Sequence, residues 1–134
     1  MSVKIFGEYL GGVATRMRHG PSGREVETDP PVDNGGTGSA FSPTDLVATA
    51  LGSCMMSVLA LHARKAHLDL SGMKISVEKI MTASLPRKIA QLKVELQLPA
   101  GLTVEQRKTL REIAENCPVA LSVADSIEIP LTLL

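Results

Sequence analysis

Apolar residues in this chain recur with two periods, and each change of period marks a new element. The longest helical stretch lies between Ser42 and Lys65. There Leu46, Val47, Ala50, Leu51, Cys54, Met55, Val58, Leu59 and Leu61 follow one another mostly at spacings of three and four. Ser42 offers an N-cap and Pro43 suits the first helical position. Asp45 stands at the capping-box position, where it replaces the usual Glu or Gln. The predicted helix runs from about 43 to 66 and is roughly 36 Å long. Polar residues cluster only near Arg64 and Lys65, so the helix is expected to be buried on most sides. It would be the central helix of a small domain, or be packed against a partner subunit.

Elsewhere the period is two. Val3, Ile5 and Tyr9, with charged neighbours, predict a strand over 2–9, and Gly11-Gly12 turns the chain into a second strand over 13–17. Gly20-Pro21-Ser22-Gly23 turns it again into a third over 24–28, which completes an antiparallel meander. Met73, Ile75 and Val77 alternate with Lys74, Ser76 and Glu78. The cleanest strand spans 89–98, where Leu92, Val94, Leu96 and Leu98 alternate with Gln91, Lys93, Glu95 and Gln97. Thr103 caps a second helix, and Gln106 completes its capping box. This helix should stop near Asn116, because Pro118 disfavours continuation. Pro118 then opens a short third helix to about Val123, and Ile127, Ile129, Leu131 and Leu133 predict a closing strand over 127–133. Strands and helices are segregated rather than alternating, so the predicted class is α+β, in a single domain over 1–134.

The segment 29–42 has no apolar period and is rich in turn formers, so it reads as a loop long enough to carry a functional or interface role. Its Gly-Gly-Thr-Gly matches no nucleotide-binding fingerprint. Fourteen basic residues balance fourteen acidic ones, and the chain has one Tyr, two Phe and no Trp. It therefore offers neither the positive field that gathers phosphates nor the aromatic platforms that stack bases, and nucleic acid is not an expected partner. No stretch is expected to reach the roughly 18 apolar residues of a membrane span, and the opening Met-Ser-Val-Lys-Ile-Phe has no apolar run behind a basic start. The expected setting is cytoplasmic, without a membrane partner. In such a reducing compartment a cysteine pair is more often catalytic than structural.

Cys54 and Cys117 are the only cysteines. Cys54 lies on the apolar helix, where a cysteine is most often a small inert core residue. Cys117 precedes Pro118 at a predicted helix N-terminus, a setting that favours a thiolate and is expected to lower its pKa. Metal binding has little support. Both cysteines with His62 and His67 lack CxxC or HxxxH spacing, and His19, His62 and His67 read as surface or helix-end residues. No Gly-x-Ser-x-Gly nucleophile elbow is present.

Ser-Pro-Thr-Asp-Leu-Val-Ala-Thr-Ala-Leu-Gly-Ser-Cys at 42–54, followed by Asn-Cys-Pro-Val at 116–119, resembles the two signature segments of the OsmC/Ohr family of osmotically inducible and organic hydroperoxide resistance proteins. The glycine-rich loop before the helix, and Asp-Leu-Ser-Gly-Met-Lys-Ile-Ser-Val before the next strands, extend the resemblance over nearly the whole chain. It implies antiparallel sheets around a long central helix in an intertwined homodimer. It also implies a thiol peroxidase of stress and detoxification response that works without haem, flavin or metal.

By the same resemblance Cys54 is the attacking cysteine and Cys117 the resolving one. Their disulfide would be reduced by an external dithiol. In peroxidase members an arginine near the N-terminus, held by an acid at the start of the long helix, keeps the attacking thiol ionised. Here Arg16, Arg18 and Arg24 are the candidates. Arg18 is preferred because it lies nearer the turn, and Asp45 is the nearest carboxylate, since Thr44 occupies the acid position of the organic-hydroperoxide subgroup. The alternative on the same fold is a non-catalytic protein that binds a hydrophobic ligand in the dimer cleft, because fold does not fix function.

Overall fold

The computed structural model describes residues 1–134, and it opens with the expected meander: β1 (Ile5–Gly11), β2 (Ala14–His19) and β3 (Glu25–Thr28), all antiparallel in that order. Gly11 and Gly12 make the first turn with φ of 100° and 56°, a left-handed region open to glycine. At the second turn the backbone N–H of His19 donates to Arg24 O at 2.8 Å. β1 is an edge strand exposed along its whole length. After β3 the chain makes one 3₁₀ turn at Val32–Asn34 and then returns, so that Thr28 bridges Phe41 and the Asp29 N–H donates to Phe41 O at 3.0 Å. These elements belong to the first of two units, Met1–Val47; the second is Ala48–Leu134.

Helix α1 (Pro43–Ala66) has the predicted bounds and begins in the first unit. Asp45 accepts from the Ser42 N–H at 2.8 Å while Ser42 Oγ accepts from the Asp45 N–H at 3.1 Å, which is the reciprocal cap read from the sequence. Within a single chain the helix is buried along one stripe only. Its buried stripe is Ala48, Leu51, Gly52, Met55, Leu59 and Ala63, while Ala50, Ser53, Ser57, Ala60 and Leu61 are exposed. A single layer of sheet covers only one face of a helix. The expectation that nothing here approaches a membrane span also needs correction. By length and composition α1 could cross one, with a mean hydropathy of 1.7 over 18 residues. Its buried stripe nevertheless gives it the part of a core helix. α1 ends at His67, whose φ of 55° is left-handed, with the Leu68 N–H reaching back to Ala63 O at 2.9 Å.

In the second unit β4 (Lys74–Met81) and β5 (Ile89–Gln97) are antiparallel, and β6 (Leu131–Leu133) joins β5 in parallel. A parallel neighbour needs a crossover, here α2 (Val104–Glu115) and α3 (Pro118–Val123). β6 is shorter than the predicted 127–133. Glu128 bridges Gln91 in isolation, and Pro130, which has no N–H to donate, interrupts the ladder before Leu131. Alternation survives the interruption: Ile127, Ile129, Leu131 and Leu133 are half-buried between exposed neighbours. Leu51, Met55 and Leu59 of α1, Leu92, Val94 and Leu96 of β5, and Leu110 and Ala114 of α2 retain almost no exposed surface and form the core. Each such leucine or methionine contributes about 1.5–3 kcal/mol by leaving water.

Candidate active site

Cys54 sits on α1 one residue before the fully buried Met55, at the margin of the buried stripe, and is partly exposed. Its height over the sheet is set by Gly52. A Cβ at that position would lie 3.1 Å from Val77 Cγ2, a tight contact that Val77 would have to yield to by a few tenths of an ångström, and at an ordinary 3.6 Å from Ile75 Cγ2, so glycine favours this close seating of α1 on β4.

Cys117 lies where α2 hands over to α3. Asn116 ends α2, with its N–H reaching back to Glu112 O and Ile113 O. Pro118 forces the residue before it out of the helical region, and Cys117 is accordingly extended, with φ −66° and ψ 151°. The same residue is the N-cap of α3. Its sulfur takes the place usually held by a serine or aspartate oxygen and accepts from the Ala120 N–H at 3.4 Å. Only 1% of Cys117 is exposed.

The two cysteines, 63 positions apart in the chain, come within 3.6 Å of each other as free thiols. Forming a disulfide bond of about 2.05 Å from there requires the sulfurs to approach by only about 1.5 Å. The expected depression of the Cys117 pKa does not occur. Burial raises it above the ordinary thiol value, the Ala120 N–H offsets part of that, and the neighbouring Cys54 adds to the rise. A helix of six residues carries too little dipole to overcome loss of solvent. Cys117 is therefore held as a protonated thiol beside Cys54.

The remaining candidates belong to the first unit. Arg16 is engaged by Glu27 at 2.9 Å and Glu25 at 3.6 Å, which hold its guanidinium charged. Arg18 is exposed and lies over the Phe6 ring, 4.9 Å from its centroid, with no carboxylate in salt-bridge range. Arg24 is exposed at the turn before β3. Thr44 Oγ1 lies 3.2 Å from Ser42 Oγ, and Asp45 forms the cap already described.

Two features escaped the sequence reading. Gly52 carried a signal, a glycine inside an otherwise strong helix, where it costs about 1 kcal/mol unless something needs the space. Asp29 carried a fainter one. Its buried carboxylate accepts from the Thr37 hydroxyl and N–H and from the Ser39 hydroxyl at 2.7 Å and N–H at 3.3 Å, tying the 29–41 loop together. Those bonds, the Thr37 hydroxyl foremost, hold its pKa at about 2 against an ordinary 3.8. No group of three or more His, Cys, Asp or Glu side chains is arranged to hold a metal ion.

The sequence profile of a family described as OsmC-like protein matches residues 36–132. Among solved structures, a protein from Psychrobacter arcticus 273-4, provisionally described as an osmotic stress induced and detoxification response protein, is 35% identical. The match spans all of this chain and 96% of that one, with a TM-score of 0.91. The organic hydroperoxide resistance protein OhrB of Bacillus subtilis is 18% identical over all of this chain and 98% of its own, with a TM-score of 0.73. A protein from Elizabethkingia anophelis, also named an organic hydroperoxide resistance protein, is 19% identical over 99% of this chain and 95% of its own, with a TM-score of 0.80. At that identity the last two show a common fold. No curated protein matches the sequence.

Proposed function

Because this chain belongs to the OsmC-like protein family, we propose that it is a two-cysteine thiol peroxidase that reduces organic hydroperoxides to alcohols in a detoxification response. The observation that carries this reading is the 3.6 Å approach of two free cysteines of unequal exposure. Names given to relatives, hydroperoxide resistance and osmotic stress with detoxification, support it.

In the proposed cycle the Cys54 thiolate attacks the distal oxygen of ROOH and the O–O bond breaks. The alkoxide takes a proton and leaves as ROH, and Cys54 becomes a sulfenic acid. The Cys117 sulfur then attacks the sulfenic sulfur, hydroxide leaves and takes the Cys117 proton as water, and a disulfide remains. Leu51, Met55, Met56 and Val58 surround Cys54 in sequence and suit an alkyl substituent better than hydrogen peroxide. Apolar surroundings oppose a thiolate, so a cation is required. Because Arg16 is committed to two glutamates, Arg18 is the arginine we assign, while Asp45 caps the start of the helix. Arg18→Gln should raise the pH at which Cys54 reacts.

The protein is proposed to act as a homodimer. β1 leaves Phe6 48% and Tyr9 73% exposed, and α1 leaves Leu61 49% exposed. An apolar edge strand of this kind is a surface that proteins normally cover.

The test is a thiol count before and after one equivalent of cumene hydroperoxide, with cumyl alcohol measured alongside. Two thiols should be lost with one alcohol formed. Cys54→Ser should abolish the reaction. Cys117→Ser should allow one oxidation at Cys54 and then accumulate sulfinic acid. Unchanged thiols in the native protein would sink the peroxidase and favour the hydrophobic-ligand reading.

A further inference from the structure

The two sulfurs differ in one respect that the proposed cycle has not used: an outside molecule can reach only one of them. Cys54 is partly exposed on α1, whereas Cys117 retains 1% of its surface between the buried Ala114 and Ala120. Thiol–disulfide exchange is a displacement in which the incoming sulfur approaches in line with the bond that breaks. Attack on Cys54 comes from the side away from Cys117, and of the two residues Cys54 is the one that keeps exposed surface. Attack on Cys117 would have to come through the core behind it, where α2 passes into α3.

We infer that the Cys54–Cys117 disulfide is opened only at the Cys54 sulfur, so that the reductant becomes covalently attached to Cys54 and Cys117 is always the leaving thiol. One thiolate of a small dithiol attacks Cys54 Sγ and a reductant–Cys54 S–S bond forms. The Cys54–Cys117 bond breaks, and its electron pair leaves on Cys117 Sγ, which takes up a proton. The second thiolate of the dithiol then attacks the reductant sulfur. Cys54 departs as a thiolate and the reductant leaves as a cyclic disulfide.

The Ala120 N–H, 3.4 Å from Cys117 Sγ, is already placed to receive the charge as it arrives there. The raised pKa of Cys117 works the other way, since a more basic thiol leaves more slowly. Basicity changes such rates by only about threefold per pKa unit, judged by the scale measured for attacking thiols. Excluding the nucleophile from a buried sulfur, by contrast, makes attack wait on local opening, commonly a penalty of orders of magnitude. Access decides the direction.

The inference rests on the disulfide of the proposed function, and its test separates the two. The native protein is oxidised with diamide, which needs no peroxidase activity, and then freed of reagent. It is exposed briefly to 2-mercaptoethanol, quenched in acid, alkylated under denaturing conditions and mapped by mass spectrometry. The expected result is mercaptoethanol on Cys54 and alkylation on Cys117. As a second measurement, the Cys117→Ser protein should react with 4,4′-dithiodipyridine at least about 100-fold faster than the Cys54→Ser protein, whose remaining thiol must wait for local opening. Mercaptoethanol on Cys117, or equal rates in the two variants, would overturn the inference and leave the peroxidase standing. Failure of diamide to close any disulfide would overturn both.

Discussion

Placing one methyl group on Gly52 tests the packing that holds Cys54 at its height. In Gly52→Ala the new Cβ would meet Val77 Cγ2 at 3.1 Å and Ile75 Cγ2 at 3.6 Å. Val77 is β-branched and held in the β4–β5 ladder opposite Val94, so it has little rotamer freedom with which to withdraw. Overpacking of this kind costs about 1–3 kcal/mol, while replacing a mid-helix glycine by alanine returns about 1 kcal/mol. The net expectation is a protein destabilised by roughly 0–2 kcal/mol, where a surface Gly→Ala in a helix would have stabilised it. The sharper measurement is a double-mutant cycle by urea unfolding. Val77→Ala removes the clashing methyls, so the added methyl should become harmless, with a favourable coupling of about 1–2 kcal/mol between the two changes. Strict additivity, or a stabilised Gly52→Ala protein, would refute the claim that Gly52 is there for close approach. Because Cys54 lies two residues along α1, the single variant should also close its disulfide more slowly, and the double variant should recover the rate.

Three further outcomes follow from local chemistry. Asp29 ionises at about 2 in the folded chain against an ordinary 3.8, so the unfolded state binds more protons between these values. The stability it contributes is present above about pH 4 and is lost as pH falls toward 2. Asp29→Asn should flatten that acid limb in thermal melts, and an unchanged limb would count against the loop clamp. Burial keeps Cys117 protonated, so in stopped-flow measurements after one equivalent of peroxide, disulfide closure should accelerate about tenfold per pH unit without levelling off below about pH 9. A plateau near neutrality would show that Cys117 is not held as a thiol. Thr103→Ala removes the side-chain half of the α2 capping box, the Gln106 N–H to Thr103 Oγ1 at 3.0 Å, and leaves the backbone N–H at 103 able to donate to Gln106 Oε1. It should cost about 1 kcal/mol in urea unfolding, and no measurable loss would show that the cap is redundant.

The helices were legible in the sequence because their signals are local. Ser42, Pro43 and Asp45 announce the start of α1, Thr103 and Gln106 the start of α2, and Pro118 both ends α2 and begins α3. Alternation placed β4 and β5 for the same reason, since the side-chain period of a strand is set within the strand itself. The last strand was overestimated because alternation continues through 127–133, whereas pairing depends on an N–H that Pro130 lacks.

The site was legible only in part. Its residues could be named from the resemblance, but no period or spacing within the chain brings positions 54 and 117 together. Their 3.6 Å approach joins α1 to the junction of α2 and α3, segments far apart in the chain. The ionisation of Cys117 ran opposite to its local motif. A helix N-terminus is a property of neighbouring residues and can be read from them, but the burial that outweighs it is set by what the rest of the chain packs around the sulfur. By itself, then, the sequence determined the elements and their caps, because backbone hydrogen bonding and side-chain period are short-range. Tertiary structure alone decided which face of α1 is covered, which sulfur is sheltered and how close the two thiols stand, because those depend on packing between segments far apart in the chain.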